Sequence, residues 1–355
     1  MLETVRKKSP KNSVPKWEKY PSPNGKWGRK EQKMIKVAYV RNLRNYRFGT
    51  KSLGDIVKIE NEVKSKLPSI GYNLKFIKLK DLNEIDKGYF LEKRLIDKED
   101  LQNENISMLL NDDESICVKL NGEEHIEIQV LSKDLDVESS FRLAKEIDEK
   151  FNNLFDIAKS KKYGFLTTSP LYVGTGLKVV ETIHLPGLAK TGNIRSISKI
   201  INDFGLSFEP VYVKGQEVLG DMYKIENKQT LGLSEDTIIK NFRAIVDKVI
   251  KQERIAKSII GKNKLEFEDM VYRSFGILTN TRKLGFSEAL NLMSDVKMGV
   301  DMGVIKEFSD EDINKIYSYM DDYSLQKYFN KNFDEYDRKI KRAEMIKNIL
   351  KKGSV

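Results

Sequence analysis

Tyr163-Gly164-Phe165-Leu166-Thr167-Thr168-Ser169-Pro170-Leu171-Tyr172-Val173-Gly174-Thr175-Gly176-Leu177-Lys178 is a loop crowded with glycine, proline and hydroxyl residues, and the run after it, residues 179–185, reads as a strand. Outward from it, further short β-like runs fall at 35–40, 74–79, 116–120, 126–131, 208–212 and 222–225, punctuated by Gly and Asn. Long amphipathic stretches at 140–159 and 235–260 alternate with them. That mixture predicts an α+β fold. In 126–131, Ile126, Ile128 and Val130 alternate with Glu127 and Gln129, so one face is expected in the core and the other toward solvent or a cleft. Ser234 reads as the N-cap of 235–260, where Ile238, Phe242, Ile245, Val249 and Ile250 recur at helical spacing as a core stripe. Beyond it the chain reads as wholly helical, at 266–280, 287–302, 309–319 and 336–352. The expected organisation is a disordered basic arm over 1–33, an α+β domain over 34–257 and a helical domain over 258–355.

The chain has 355 residues and a formal net charge of +10, which invites a nucleic-acid reading until the charge is located. Residues 1–33 hold ten Lys or Arg against three Glu, so +7 lies there and +3 in the remainder. Pro10, Pro15, Pro21 and Pro23 and both tryptophans, Trp17 and Trp27, lie there too, without strand or helix period. The arm reads as a solvated tail, or as a dock for an acidic partner or nucleic acid. One cysteine, Cys117, excludes an intramolecular disulfide, and with two histidines it leaves little for a structural zinc; no metal site is expected. No apolar run is long enough to span a membrane and the start lacks a signal-peptide core, so the expectation is a cytoplasmic protein with no membrane partner.

Three more segments carry chemistry. Asn121-Gly122-Glu123-Glu124-His125-Ile126-Glu127-Ile128-Gln129 leads into a strand. Gly215 to Gly232 holds a second glycine-rich loop and strand. Glu268 to Leu278 and Leu292 to Gly303 lie in the helical part. In this order and spacing they resemble the ATP:guanido phosphotransferase (phosphagen kinase) family, specifically its bacterial protein-arginine kinase branch, from about residue 35 to residue 350. The resemblance implies a catalytic antiparallel sheet flanked by helices, an all-helical C-terminal domain of the dimerisation and phosphoarginine-binding type, and Mg-ATP as cofactor.

Transfer of a phosphoryl group to a guanidinium needs cations around the triphosphate and carboxylates to orient the guanidinium and take its proton. Set against the family's S-S-R-x-R-x-x-R-N, residues 37–45 keep Arg41 and put Tyr39 at the first phosphate arginine. The next arginine positions hold Glu127, Lys178 and Glu209. Glu123 matches one catalytic glutamate; Lys214 stands at the second, and pairing of Lys214 with Glu127 or Glu209 would offset the reversed charges. Ser169 and Tyr172 replace the family's cysteine and asparagine, and Arg94 replaces a histidine implied to contact the nucleotide base. Arg41, Arg94 and Lys178 are thus the ATP-binding candidates. In the helical part, Arg338 and Arg342, at i and i+4, match the family's R-D-x-x-R-A and could clasp a phosphoarginine, with Lys339 in place of the acid.

Losing one arginine that touches the transition state costs about 10³ to 10⁵ in rate. The sequence therefore predicts a catalytically impaired pseudokinase that acts by protein binding or regulation, in arginine phosphorylation or protein quality control. Its partner would be a protein: a substrate, a second copy, or an active paralogue. An active ATP-dependent protein-arginine kinase and a nucleic-acid binder acting through the arm are the alternatives.

Overall fold

The computed structural model describes residues 32–49, 52–133 and 136–352; most of the arm expected over 1–33 lies outside the described residues. In chain order the elements are β1 (Gln32–Arg41), α1 (Leu53–Ile70), β2 (Lys75–Lys78), α2 (Glu84–Glu92), β3 (Ser107–Leu110), β4 (Ile116–Leu120), β5 (Ile126–Ser132) and α3 (Val137–Leu154). After these come β6 (Lys159–Ser160), β7 (Gly164–Phe165), β8 (Leu177–His184), α4 (Pro186–Lys190), α5 (Ile194–Asp203), β9 (Leu206–Pro210), β10 (Val213–Lys214), β11 (Glu217–Val218), β12 (Met222–Asn227) and α6 (Glu235–Ile260). The rest is helical: α7 (Lys264–Asn280), α8 (Phe286–Asp301), α9 (Asp310–Tyr319), α10 (Asp322–Phe329) and α11 (Glu335–Lys352). Eight strands form one sheet in the order β2-β3-β4-β5-β1-β8-β12-β9, with antiparallel neighbours. The fold is the α+β arrangement read from the pattern, with a helical C-terminal part.

Local chemistry sets the element ends. Ser234 caps α6 by accepting from the Thr237 amide, and Ser309 with Asp312 forms a reciprocal capping box on α9. α3 stops at Leu154, short of 159, because the chain beyond it pairs through Ile157 with Leu43 at the exit of β1. α1, α2, α5, β3 and α10 were not foreseen; in the last two, a four-residue strand buried on both faces shows no alternation, and an eight-residue helix shows little period.

One face of the sheet carries the main core. Val37, Ile128 and Val179 pack in one cluster with Phe141, Ile147 and Phe151 of α3 and Phe242 and Val246 of α6. The opposite face departs from expectation. Glu127 and Gln129 were placed toward solvent or a cleft, yet they are 8% and 0% exposed. Phe90 of α2 with Leu95 and Ile96 lies over Met108, Leu110, Cys117 and Leu131 and closes that half of the face. Burial holds the Cys117 thiol up at about 12, so it stays protonated.

The helical part leans on the same face. His184 on β8 meets the Ser294 hydroxyl of α8 at 2.9 Å, and that hydroxyl donates to Asp221 at 2.6 Å. Farther along, α2 meets α10, where the Tyr323 ring lies 2.3 Å from where a side chain on Gly88 would begin, so only glycine allows the approach. The Glu92 carboxylate accepts from the Tyr323 and Ser324 amides at 2.9 and 2.7 Å, capping α10 from outside it. Sheet, α2 and helical part border a half-open cavity of about 720 Å³.

Asp321, just before α10, is buried there, and burial together with the nearby Glu92 carboxylate pushes its carboxyl up to about 8, against the pull of Arg342, Arg94 and Lys93. The folded state therefore holds a proton that the unfolded state releases near pH 4. Stability from this group is complete below the unfolded value and is lost as pH rises toward 8. Asp321→Asn, which mimics the protonated acid, should narrow the fall in Tm between pH 5 and pH 8 by roughly 5 °C in a melting series; an unchanged slope would refute the assignment.

Candidate active site

The strand pairings decide which side chains share the sheet's second face. Glu127 pairs with Lys119 and Val40, Ala38 with Gln129 and Lys178, Lys36 with Val180, and Lys224 with Thr182 and Glu209. Directly paired residues point the same way. Lys119, Glu127, Lys36, Lys178, Glu226, Lys224 and Glu209 therefore run across one face. Tyr39 pairs with Ile128 and Leu177, and Arg41 with Ile126, on the core face.

That register corrects the reading of β1. A phosphate ligand must stand on the face with Lys178 and Glu127, and Tyr39, wholly buried, does not. The family's S-S-R-x-R-x-x-R-N ends in Arg-Asn, and Arg41-Asn42 offers that pair three residues earlier than Arg44-Asn45. In that register the two phosphate positions fall on Lys36 and Ala38. Lys36 was missed in the sequence, and the earlier Arg-Asn pair was the signal for it. Lys119, the other cation there, left no signal, because only pairing across strands brings it to Glu127.

Arg41, expected to hold a phosphate, is fully enclosed. Its guanidinium donates to Asp148 of α3 at 2.7 Å and to the carbonyls of Val40 and Thr175 at 2.8 and 2.9 Å, and it stacks 3.6 Å from the Phe165 ring centroid. Gly176, at φ +65°, is required for that passage, since a Cβ there would sit 2.2 Å from the guanidinium. Arg41 thus fastens the glycine loop to the sheet.

Glu127 lies between two lysines, 3.4 Å from Lys36 and 3.0 Å from Lys119. Burial would raise its carboxyl, but Lys36, Lys119 and Lys178 outweigh that and hold it well below the usual carboxylate range. Lys119 also meets Asp100 at 2.7 Å and Asp97 at 3.4 Å. Lys178 stands 3.8 Å from Glu226, and although burial lowers its basicity, Glu127 and Glu226 raise it further, so it stays charged. Glu209 pairs with Lys224 at 2.9 Å. The anticipated bridge from Lys214 to Glu127 or Glu209 does not form: Lys214 is exposed on the β10–β11 hairpin, and both carboxylates have other lysines.

Around this face the segments that carry the resemblance serve as fasteners. Glu124 accepts from the Thr168 and Ser169 amides at 2.8 and 3.0 Å, tying the loop before β5 to the glycine loop. His125 Nδ1 accepts from the Leu43 amide at 3.0 Å, so Nε2 carries the proton, 2.9 Å from the Arg47 carbonyl. Glu123 stands nearer solvent; partial burial and neighbouring Glu124 raise its carboxyl, against the pull of Lys178. The Tyr172 hydroxyl donates to Glu226 at 3.3 Å. Arg94, at φ +59°, lines the cavity with Tyr212 and Asp321. Asn291 of α8 accepts from the Gly220 amide at 2.8 Å and so grips the second glycine-rich loop.

The phosphoarginine clasp is also corrected. Arg342 is 1% exposed and donates to the carbonyls of Met320 and Leu284, at 2.6 and 3.1 Å, and to Asp322. Arg338 donates to the Phe333 carbonyl at 3.1 Å and stands 3.5 Å from Asp322. Arg342 is consumed inside the helical part.

Comparisons with known proteins fit this geometry. Residues 55–256 match the family profile described as ATP:guanido phosphotransferase, C-terminal catalytic domain, and residues 264–354 match the protein-arginine kinase McsB C-terminal domain. A protein-arginine kinase of Halothermothrix orenii is 37% identical over 78% of this chain and 80% of its own. One of Clostridium tetani is 33% identical over 89% and 94%. Among solved structures, the duplicated taurocyamine kinase from Schistosoma mansoni with bound transition state analog components gives a TM-score of 0.58 at 16% identity, over 74% of this chain and 38% of that one. Lombricine kinase gives 0.56 at 17%, over 66% and 69%. These two likenesses speak for the fold. Among the described residues, no helix is long and apolar enough to cross a membrane.

Proposed function

The chain belongs to the ATP:guanido phosphotransferase family, in its protein-arginine kinase branch, and from that premise we propose that it is a pseudokinase that works by binding protein. One observation carries the reading: the Glu127 carboxylate lies between Lys36 and Lys119, where a polyphosphate would need those cations. Lys178 and Lys224 are likewise matched, by Glu226 and Glu209. A triphosphate entering this face would have to displace carboxylates from lysines, in a dry setting at Glu127, and among the described residues of the face it would meet no bidentate arginine fork in return. The residues present do not fit Mg-ATP at the phosphate end.

The scaffold around that face is intact, which suits a protein kept for its surface. Ile255 and Ile259 on α6 and Leu265 and Tyr272 on α7 are exposed at 44%, 52%, 76% and 52%. A second protein chain, either another copy or an active paralogue, would cover such apolar side chains and be regulated in arginine phosphorylation or protein quality control. Incubation with Mg-ATP and an arginine-rich protein, followed by phosphorus NMR, should show no acid-labile phosphoramidate and no ATP loss above a protein-free control. Turnover would reject the pseudokinase and favour the rival reading, in which Glu123 still serves as base.

A further inference from the structure

We infer that the joint between α2 and α10 is a switch in which two carboxylates exchange the cap of α10, Glu92 holding it while the joint is docked and Asp321 taking it when the joint opens. Asp321 occupies the N-cap position of α10 with the extended backbone of a capping residue, φ −67° and ψ 158°. An aspartate there ordinarily accepts from an amide of the first turn. Asp136, in the same conformation at the head of α3, accepts from the Ser139 amide. Asp321 makes no such bond, because the donors are already taken. Glu92 holds the Tyr323 and Ser324 amides at 2.9 and 2.7 Å, and the Ser324 hydroxyl at 2.7 Å. Two carboxylates cannot fill the same cap, so docking of α2 displaces Asp321 from its own helix.

The displaced side chain sits in the dry joint with the Tyr212 hydroxyl at 3.4 Å. Its charged neighbours are Glu92, Lys93 and Arg94 from α2 and its exit, Asp322 on α10 and Arg342 on α11. Arg342 is spent on two carbonyls and Asp322, and Lys93 on the Ser318 carbonyl. Docked, Asp321 therefore keeps its proton up to about pH 8. As a cap in water it would titrate near 4, and the helix N-terminus would favour its charge. The docked form thus holds one more proton than the open form between those values. Opening gains about fiftyfold between pH 6 and pH 8 and nothing further well above that. Against it stand the close approach of Tyr323 to Gly88 and the 2.6 Å pair of Lys327 with Asp86, which hold the joint docked at low pH. Glu92, Asp321 and Ser324 line the half-open cavity, so parting α2 from α10 widens its mouth. The switch gates that space whether or not the chain transfers phosphate.

Spin labels at Glu84→Cys on α2 and Asn332→Cys just past α10, both exposed, read the joint in the full chain; the native Cys117 is buried and stays unlabelled. Pulsed electron paramagnetic resonance should give one short distance at pH 6 and add a longer population at pH 8.5. Asp321→Asn, neutral throughout, should keep the short distance at both. Hydrogen exchange then separates an exchange of caps from simple charge repulsion. Asp321→Ala should leave exchange in α10 unchanged while Glu92 is present, and should speed it about fivefold in a Glu92→Ala background, where Asp321 is the only cap left. A single short distance in the wild type at pH 8.5 overturns the proposal, as does a long population that grows with pH in Asp321→Asn. An equal effect of Asp321→Ala in both backgrounds shows that the two carboxylates do not share the cap and overturns it as well.

Discussion

Glu127→Gln should lower stability by about 3 to 5 kcal/mol, the usual consequence of removing one partner from a buried charge cluster. The loss follows from what remains: Lys36 and Lys119, each 5% exposed, would face one another without the carboxylate between them. Glu127→Arg, which restores the residue type the family carries, should be worse, since it adds a third cation to the same pocket. The direct reversion is thus expected to unfold the protein rather than revive a kinase. Only exchange together with Lys36 or Lys119 would relieve the repulsion. The pH dependence gives a second readout. The folded carboxyl is depressed, so its stabilisation is present above the unfolded value near pH 4.3 and lost as pH falls through the lower folded one. The gap in unfolding free energy between wild type and Glu127→Gln should therefore hold from pH 5 to 7 and shrink below about pH 4. A Gln variant as stable as wild type at pH 7 in urea melts would show that the lysines do not depend on Glu127 and would remove the main support for a blocked phosphate path.

The fold was largely legible because its signals are local. Helical spacing and the Ser234 cap mark α6, and β-rich runs bounded by glycine or asparagine mark β1, β5, β8 and β12. The site was legible in its residue types but not in its geometry. Glu127 reads in the sequence as a lone reversed charge, and only the pairing of β4, β5 and β1 surrounds it with lysines. Arg41 reads as a retained ATP-binding arginine. Its true role appears once register turns it toward the core and Asp148, more than a hundred positions along the chain. A motif carries residue identity, whereas the face a strand residue occupies flips with each single-residue shift. A three-residue shift in matching β1 therefore moved the expected phosphate ligands from the cleft to the core.

Arg342→Ala should destabilise the helical part by about 3 to 5 kcal/mol without touching any phosphoarginine site. The side chain joins three elements: α11, which carries it; the end of α9 through the Met320 carbonyl; and the turn before α8 through the Leu284 carbonyl. Its truncation strands two buried carbonyls, each at a cost of about 1 to 3 kcal/mol, and opens a void where the guanidinium lay. Arg342→Lys should recover little, because an ammonium cannot reproduce the planar fork that serves both carbonyls and Asp322 at once. Arg338→Ala, by contrast, loses one partly buried bond to the Phe333 carbonyl and should cost about 1 kcal/mol. Hydrogen exchange would read this directly, with protection lost across α9 and α11 in the Arg342 variants and kept in Arg338→Ala. Free phosphoarginine separates the two meanings of the pair. A ligand that binds the folded state raises Tm by mass action, so a clasp built from Arg338 and Arg342 would show a shift in wild type that Arg338→Ala abolishes. With Arg342 already saturated by its own chain, millimolar phosphoarginine should leave the wild-type Tm where it was.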